Sequence, residues 1–132
     1  MQAKKFTIHT PQEGFLNITR SVRETIRESG ARSGIVVVWC AHTTAGITIN
    51  ENADPDVVTD MLLGLDYAYP DRPAFRHMEG NSAAHLKCSA MGVSKTIPFE
   101  DGEMMLGIWQ GIYFCEFDGP RTRNYYVKVI EG

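Results

Sequence analysis

Apolar residues recur every fourth position at Ile18, Val22 and Ile26, opposite Arg20, Arg23, Glu24 and Arg27. This spacing predicts a surface helix with a solvated basic face, closed by Gly30. Ahead of it, Lys4 to His9 alternates and places Phe6 and Ile8 on one face of a first strand. Behind it, Gly34 to Cys40 is apolar at nearly every position and reads as a fully buried strand. Ile47 and Ile49 suggest a short partner strand.

Asp54-Pro55 marks a second helix, an N-cap acid followed by proline at the first helical position. Val57, Val58, Met61, Leu62 and Leu65 form its apolar stripe. From Asp66 to Arg76 prolines and tyrosines occur without a period, so this stretch reads as a loop. A third helix is expected over Ser82–Met91, capped by Ser82 and ended by Gly92. Ala83, Leu86 and Ala90 would face the core, with His85 and Ser89 together on another face. Val93–Phe99 and Met104–Trp109 flank an Asp101-Gly102 turn, and Ile112–Phe117 and Tyr125–Ile130 flank Asp118-Gly119-Pro120. Two or three helices and about seven strands, grouped rather than alternating, predict an α+β fold.

A chain of 132 residues points to one domain, 1–132, with a proper core. The net charge of −3 argues against nonspecific nucleic-acid binding. No apolar run approaches the roughly 20 residues that span a bilayer, and Met1 to Phe6 lacks the apolar core of a signal peptide. Cys40, Cys88 and Cys115 form no Cys-x-x-Cys pair, which points to a reduced, cytoplasmic protein.

Against this ordinary background, Ala41 to Asp56 stands out. It crowds a histidine, threonines, asparagines and carboxylates directly behind the apolar strand. Polar groups this dense beside a core are costly to desolvate unless they pair with one another, a metal or a ligand. His77-Met78-Glu79-Gly80-Asn81 and His85 form a second cluster, and Glu116 to Arg123 a third. His42, His77 and His85 are the candidate metal ligands, because a metal site needs several N or O donors at once. Zinc suits them best, with magnesium or manganese as alternatives. Their spacing matches no standard zinc signature, and each histidine has a plain alternative as a turn or surface residue. Glu51 and Glu79 are the candidate general bases. Thr43, Asn50, Lys87, Ser89, Gln110, Arg121 and Arg123 are the candidate substrate contacts, the cations for phosphate oxygens and the others as hydrogen-bond partners. The arginines have an edge-strand alternative, and Trp109-Gln110 a packing one.

These residues carry a resemblance. His42-Thr43-Thr44-Ala45, Asn50-Glu51-Asn52, Asp54-Pro55, Glu79-Gly80-Asn81, His85-Leu86-Lys87, Ser89, Gly92, Trp109-Gln110-Gly111, Glu116 and Arg121 resemble, in order and spacing, the YjbQ family of small bacterial and archaeal proteins. Two positions depart: Ile108 stands where threonine is expected, and Ala83-Ala84 lacks an acid often found there. The resemblance implies two packed, mainly antiparallel sheets with helices, a homotrimer, and sites near subunit junctions. It also implies the label of secondary thiamine-phosphate synthase, a transferase that joins hydroxymethylpyrimidine diphosphate to a thiazole phosphate and releases pyrophosphate.

The residues alone point to a metal and an anion. The first reading is a metal-assisted enzyme acting on a phosphorylated small molecule, the metal neutralising a departing diphosphate. The alternatives are a non-catalytic protein that binds a metal or a phosphorylated metabolite, and a metal-dependent hydrolase. No nucleic-acid or membrane partner is expected.

Overall fold

A computed structural model describes residues 2–132. The strands are β1 (Lys4–His9), β2 (Gly14–Asn17), β3 (Gly34–Cys40), β4 (Ala45–Glu51), β5 (Ser94–Glu100), β6 (Glu103–Met104), β7 (Gln110–Glu116) and β8 (Thr122–Glu131). The helices are α1 (Thr19–Ser29), α2 (Pro55–Ala68) and α3 (Ser82–Met91). Five strands pair in the order β1-β8-β3-β5-β6 and three in the order β2-β7-β4, antiparallel throughout. The expected α+β architecture of two packed sheets is present.

The core forms where the inner faces of the two sheets meet. Val36 and Val38 of β3, Ile97 and Phe99 of β5, and Val127 and Val129 of β8 meet Ile47 of β4 and Ile112 and Phe114 of β7. Val22 and Ile26 of α1 close the same cluster, as their four-residue spacing requires. The alternate residues of β7, Tyr113 and Cys115, pack with Phe117 and Ala84 of α3 on the other side of the small sheet. Gly30 ends α1 in the left-handed conformation, at φ 75°. Asp54 caps α2 by accepting the Asp56 amide at 2.9 Å.

Several sequence expectations change. The segment containing Ile47 and Ile49 is not a partner of β3; it crosses to the other sheet and pairs with β7. Phe15 and Leu16 belong to a four-residue strand, β2, too short to show a period. Helix α2 runs through Gly64 to Ala68 and stops two residues short of Pro70. Asn81, not Ser82, is the N-cap of α3. That helix turns Ala84, Lys87 and Cys88 inward, while Leu86 and Ala90 are exposed. Only Glu103–Met104 pairs with β5 as a strand; the Met105 amide still donates to the Pro98 carbonyl at 2.9 Å, and the residues from Leu106 to Trp109 are outside any strand.

Candidate functional site

The link 41–44 carries the chain from the large sheet to the small one. Released from strand pairing, its polar groups become available to a site. Ala41, His42, Thr43 and Thr44 line one wall of a cavity of about 410 Å³. The lining also includes His77, Glu79 and Asn81, from the connection between α2 and α3, and His85 in the first turn of α3. Arg121 and Arg123, following the Gly119-Pro120 turn, complete the lining.

Its floor is a buried ion pair. Glu116 is 0% exposed and accepts Arg123 Nε at 2.8 Å and Nη2 at 2.6 Å. Thr10 donates to the same carboxylate, as does the Asp118 amide at 2.9 Å. Burial pushes the Glu116 carboxyl up, but the Arg123 and Thr10 hydrogen bonds outweigh it and hold the group below the usual carboxylate range. Arg123 Nη2 also reaches Thr44 Oγ1 at 2.8 Å, tying the 41–44 link to the floor.

Asp118 organises the rim. Arg121 donates Nε to its carbonyl at 2.7 Å and Nη2 to its carboxylate at 2.9 Å. Asn81 donates Nδ2 to the Asp118 carboxylate at 2.8 Å and to Glu79 at 3.3 Å. The Oδ1 of Asn81 is a buried acceptor without a partner among the described residues. His77 and His85 meet edge to face, ring centres 5.4 Å apart, and His77 Nε2 stands 4.0 Å from Glu79. His42 Nε2 accepts the Asn124 backbone amide at 2.9 Å.

The three expected histidines therefore share one cavity, together with Glu79, Thr43, Arg121 and Arg123. They do not stand as a three-histidine cage: among the described residues, no three His, Cys, Asp or Glu side chains are grouped to hold an ion. The lone pair of His42 Nε2 already has a backbone partner. His77, His85 and Glu79 each carry a donor of a kind that zinc accepts, but as they stand they are not gathered around one point either.

Other expected residues lie elsewhere. Lys87 is only 5% exposed and pairs with Glu13 at 2.8 Å and with Asp66. Burial lowers the pKa of its ammonium, but the two carboxylates prevail and raise it, so Lys87 is an internal tie in place of the expected phosphate ligand. Ser89 is exposed and outside the cavity lining. Asn50, Glu51 and Gln110 sit at the far end of the small sheet, since β4 and β7 pair Ala45 with Glu116 at one end and Glu51 with Gln110 at the other. There Glu51 Oε2 accepts the Asp54 amide at 3.2 Å, Asn50 Oδ1 the Glu51 amide at 2.8 Å, and Gln110 Oε1 the Gly107 amide at 2.7 Å. Sequence reasoning gave no role to Thr10, Thr44, Asn81 or Asp118. Asn81 and Asp118 lay inside the polar clusters, whereas nothing local to Thr10 signals its contact.

With this fold and cavity, residues 4–132 match the family described as UPF0047 protein YjbQ-like. The chain belongs to that family. It is 54% identical over 122 residues to UPF0047 protein YugU of Bacillus subtilis, covering 92% of each chain. To UPF0047 protein MJ1081 of Methanocaldococcus jannaschii it is 50% identical over 127 residues, covering 96% of this chain and 92% of that one. The crystal structure of a YjbQ/UPF0047 family protein from Clostridium acetobutylicum superposes with a TM-score of 0.94 at 52% identity, over 96% of this chain and 99% of that one. A YjbQ-like protein of unknown function from Sulfolobus solfataricus reaches the same TM-score, 0.94, at 27% identity, over 99% of this chain and 97% of that one. The fold thus persists where about three residues in four differ.

Proposed function

We propose that this YjbQ-family protein is an enzyme acting on a phosphorylated small molecule, with the phosphate held at the arginine side of the cavity. The observation that carries this reading is the convergence of two arginines, three histidines and a carboxylate on one concave surface. Arg123 has Nε and Nη2 engaged by Glu116 and Thr44, and Arg121 has Nε and Nη2 engaged by Asp118. Each guanidinium keeps Nη1 for a ligand oxygen, and the engaged nitrogens fix its orientation before the ligand arrives. Thr43 supplies a hydroxyl donor at the same wall.

A divalent metal, zinc by the chemistry of the donors, would need His77, His85 and Glu79 to draw together around it, and would supply charge to polarise a phosphoryl oxygen or neutralise a departing diphosphate. Glu79 otherwise takes up a proton at the mouth of the cavity. The thiamine-phosphate synthase reaction implied by the resemblance belongs to this class, its departing pyrophosphate lying against the arginines. No helix among the described residues is long and apolar enough to cross a membrane. The three free, buried thiols support a reducing, cytoplasmic setting.

The assembly in this reading is a homotrimer. Helix α2 buries none of its residues fully, and Leu63 and Tyr67 on it are exposed. The outer face of the large sheet shows Ile35, Trp39 and Ile130 to solvent, with Ile35 and Ile130 directly paired. Apolar surface of this kind on a small domain suits contact with further copies. The number three rests on the resemblance.

The test is calorimetric titration with inorganic phosphate and pyrophosphate, with metal content measured on the same samples. Arg121→Ala should weaken both anions about ten- to a hundredfold, the effect of losing one charge-assisted hydrogen bond, and leave metal content unchanged. Unchanged anion affinity would remove Arg121 from the site. Glu79→Gln should abolish turnover while anion binding persists; a wild-type protein that binds these anions but converts no phosphorylated substrate would instead be a receptor.

A further inference from the structure

Strand β3 ends at Cys40, opposite Tyr125 of β8. The next residue back along β8, Asn124, has no strand partner from β3, and the imidazole of His42 fills that place. Its Nε2 accepts the Asn124 amide at 2.9 Å. A backbone amide is always a donor, so the ring nitrogen facing it must carry a lone pair. Neutral imidazole has one lone-pair nitrogen and one N–H. The proton of His42 therefore sits on Nδ1.

This assignment has two consequences. Coordination of a metal through Nε2 would take the lone pair from the Asn124 amide and leave that donor without a partner. Coordination through Nδ1 would require loss of its proton while Nε2 is still engaged, which makes the ring an imidazolate. Protonation of the ring is opposed as well: burial and then the charge of Arg123 disfavour it, Arg121 adding to them, with Glu116 acting the other way. What His42 can offer a ligand is one neutral N–H.

We infer that His42 is a fixed hydrogen-bond donor to the ligand oxyanion and not a metal ligand. The inference rests on the phosphate-binding reading above and deepens it. The cavity then has two chemically distinct walls. His42, Thr43, Arg121 and Arg123 present donors, and His77, His85 and Glu79 add lone pairs, each imidazole with an N–H as well. An oxyanion, such as a phosphate group, suits the first wall; a cation suits the second.

Ring-nitrogen NMR on 15N-labelled whole protein tests this. At neutral pH, His42 should show a protonated Nδ1 and an unprotonated Nε2. Zinc should shift the ring nitrogens of His77 and His85 and leave those of His42, and the Asn124 amide, in place. Inorganic phosphate should shift His42 Nδ1. His42→Phe should weaken phosphate about ten- to a hundredfold with zinc stoichiometry unchanged. His42→Gln, whose amide can both accept from Asn124 and donate to the ligand, should recover part of that loss and guards against a misfolded phenylalanine variant. Zinc-induced shifts at His42 Nε2 with loss of the Asn124 hydrogen bond, while phosphate still binds, would overturn this inference alone. Absence of phosphate and pyrophosphate binding by the wild-type protein would overturn the functional reading and this inference with it.

Discussion

The two ends of the small sheet have been built in opposite ways. The antiparallel β4–β7 ladder runs from the Ala45–Glu116 pair at the cavity to Glu51–Gln110, a seven-residue span of about 20 Å. At the cavity end, polar groups are held by residues remote in sequence. Thr10 bonds Glu116 from 106 positions away, Thr44 bonds Arg123 from 79, and Asn124 bonds His42 from 82. At the far end the Glu51 and Gln110 side chains are satisfied locally, by Asp54 and Gly107, each three positions away, although Asn52 and Tyr113 also bond across β4 and β7. The far end also leaves apolar surface open, with Ile108 84% exposed and Trp109 exposed beside it. Long-range polar contacts exist only when the whole fold is in place, so the cavity forms with the complete fold. Local contacts would persist in a loosened chain. In the proposed reading, one end receives a small charged ligand and the other meets a second subunit.

The largest expected difference between the ends is in stability. Glu116→Ala leaves Arg123 buried and unpaired, and removing one partner of a buried ion pair costs about 3–5 kcal/mol. Urea unfolding should show that loss as a lower midpoint. A cost below about 1 kcal/mol would mean that water reaches Arg123 and that the floor is less closed than its contacts indicate. A Glu116→Gln variant separates charge from packing: it retains a carbonyl for Arg123 but not the anion, and should fall between the two.

A smaller effect is expected from pH. His42, Glu116 and Asp118 all have folded pKa values below their ordinary ones. For His42 the cause is burial and then Arg123; for the two carboxylates, hydrogen bonds and arginine charge outweigh burial. A depressed value means that the unfolded chain binds the proton more readily. The stabilisation is therefore complete above the ordinary value and is lost as pH falls through the folded one. Stability should decline first below the ordinary histidine value of 6.5, and again below 4.5 for Glu116 and 3.8 for Asp118. Urea midpoints measured across this range should show both stages, and His42→Gln should remove only the upper one. A single decline confined to the acid end would show that His42 titrates alike in the folded and unfolded chain.

The same contrast explains what was legible in the sequence. Ile18, Val22 and Ile26 announced α1, and Asp54-Pro55 announced α2, because periodicity and capping are local. The face of α3 was misjudged because Lys87 reads as a surface residue until Glu13 and Asp66 are seen beside it, 74 and 21 positions away. The cavity residues were visible as polar clusters, and His42, His77, His85, Arg121 and Arg123 do come together. Their roles were less visible. The backbone partner of His42 is a product of sheet packing that no local pattern encodes, and the cluster holding Glu116 and Arg123 did not show that the two pair with each other. Glu51 was grouped with His42 because nine positions separate them in sequence. An extended strand turns such closeness into distance.

The smallest effect should come from Glu51→Gln, and it decides how independent the ends are. Gln retains a carbonyl oxygen for the Asp54 amide, so stability should change by no more than about 0.5 kcal/mol. Phosphate affinity should be unchanged, because the arginines and His42 of the same chain lie at the opposite end of the sheet. Turnover is the informative readout. If each cavity works within its own chain, turnover is unchanged as well, and Glu79 is left as the carboxylate at the site. A variant that binds phosphate normally yet turns over slowly would show that Glu51 reaches the cavity of a neighbouring copy. The two ends would then form one site across a subunit junction.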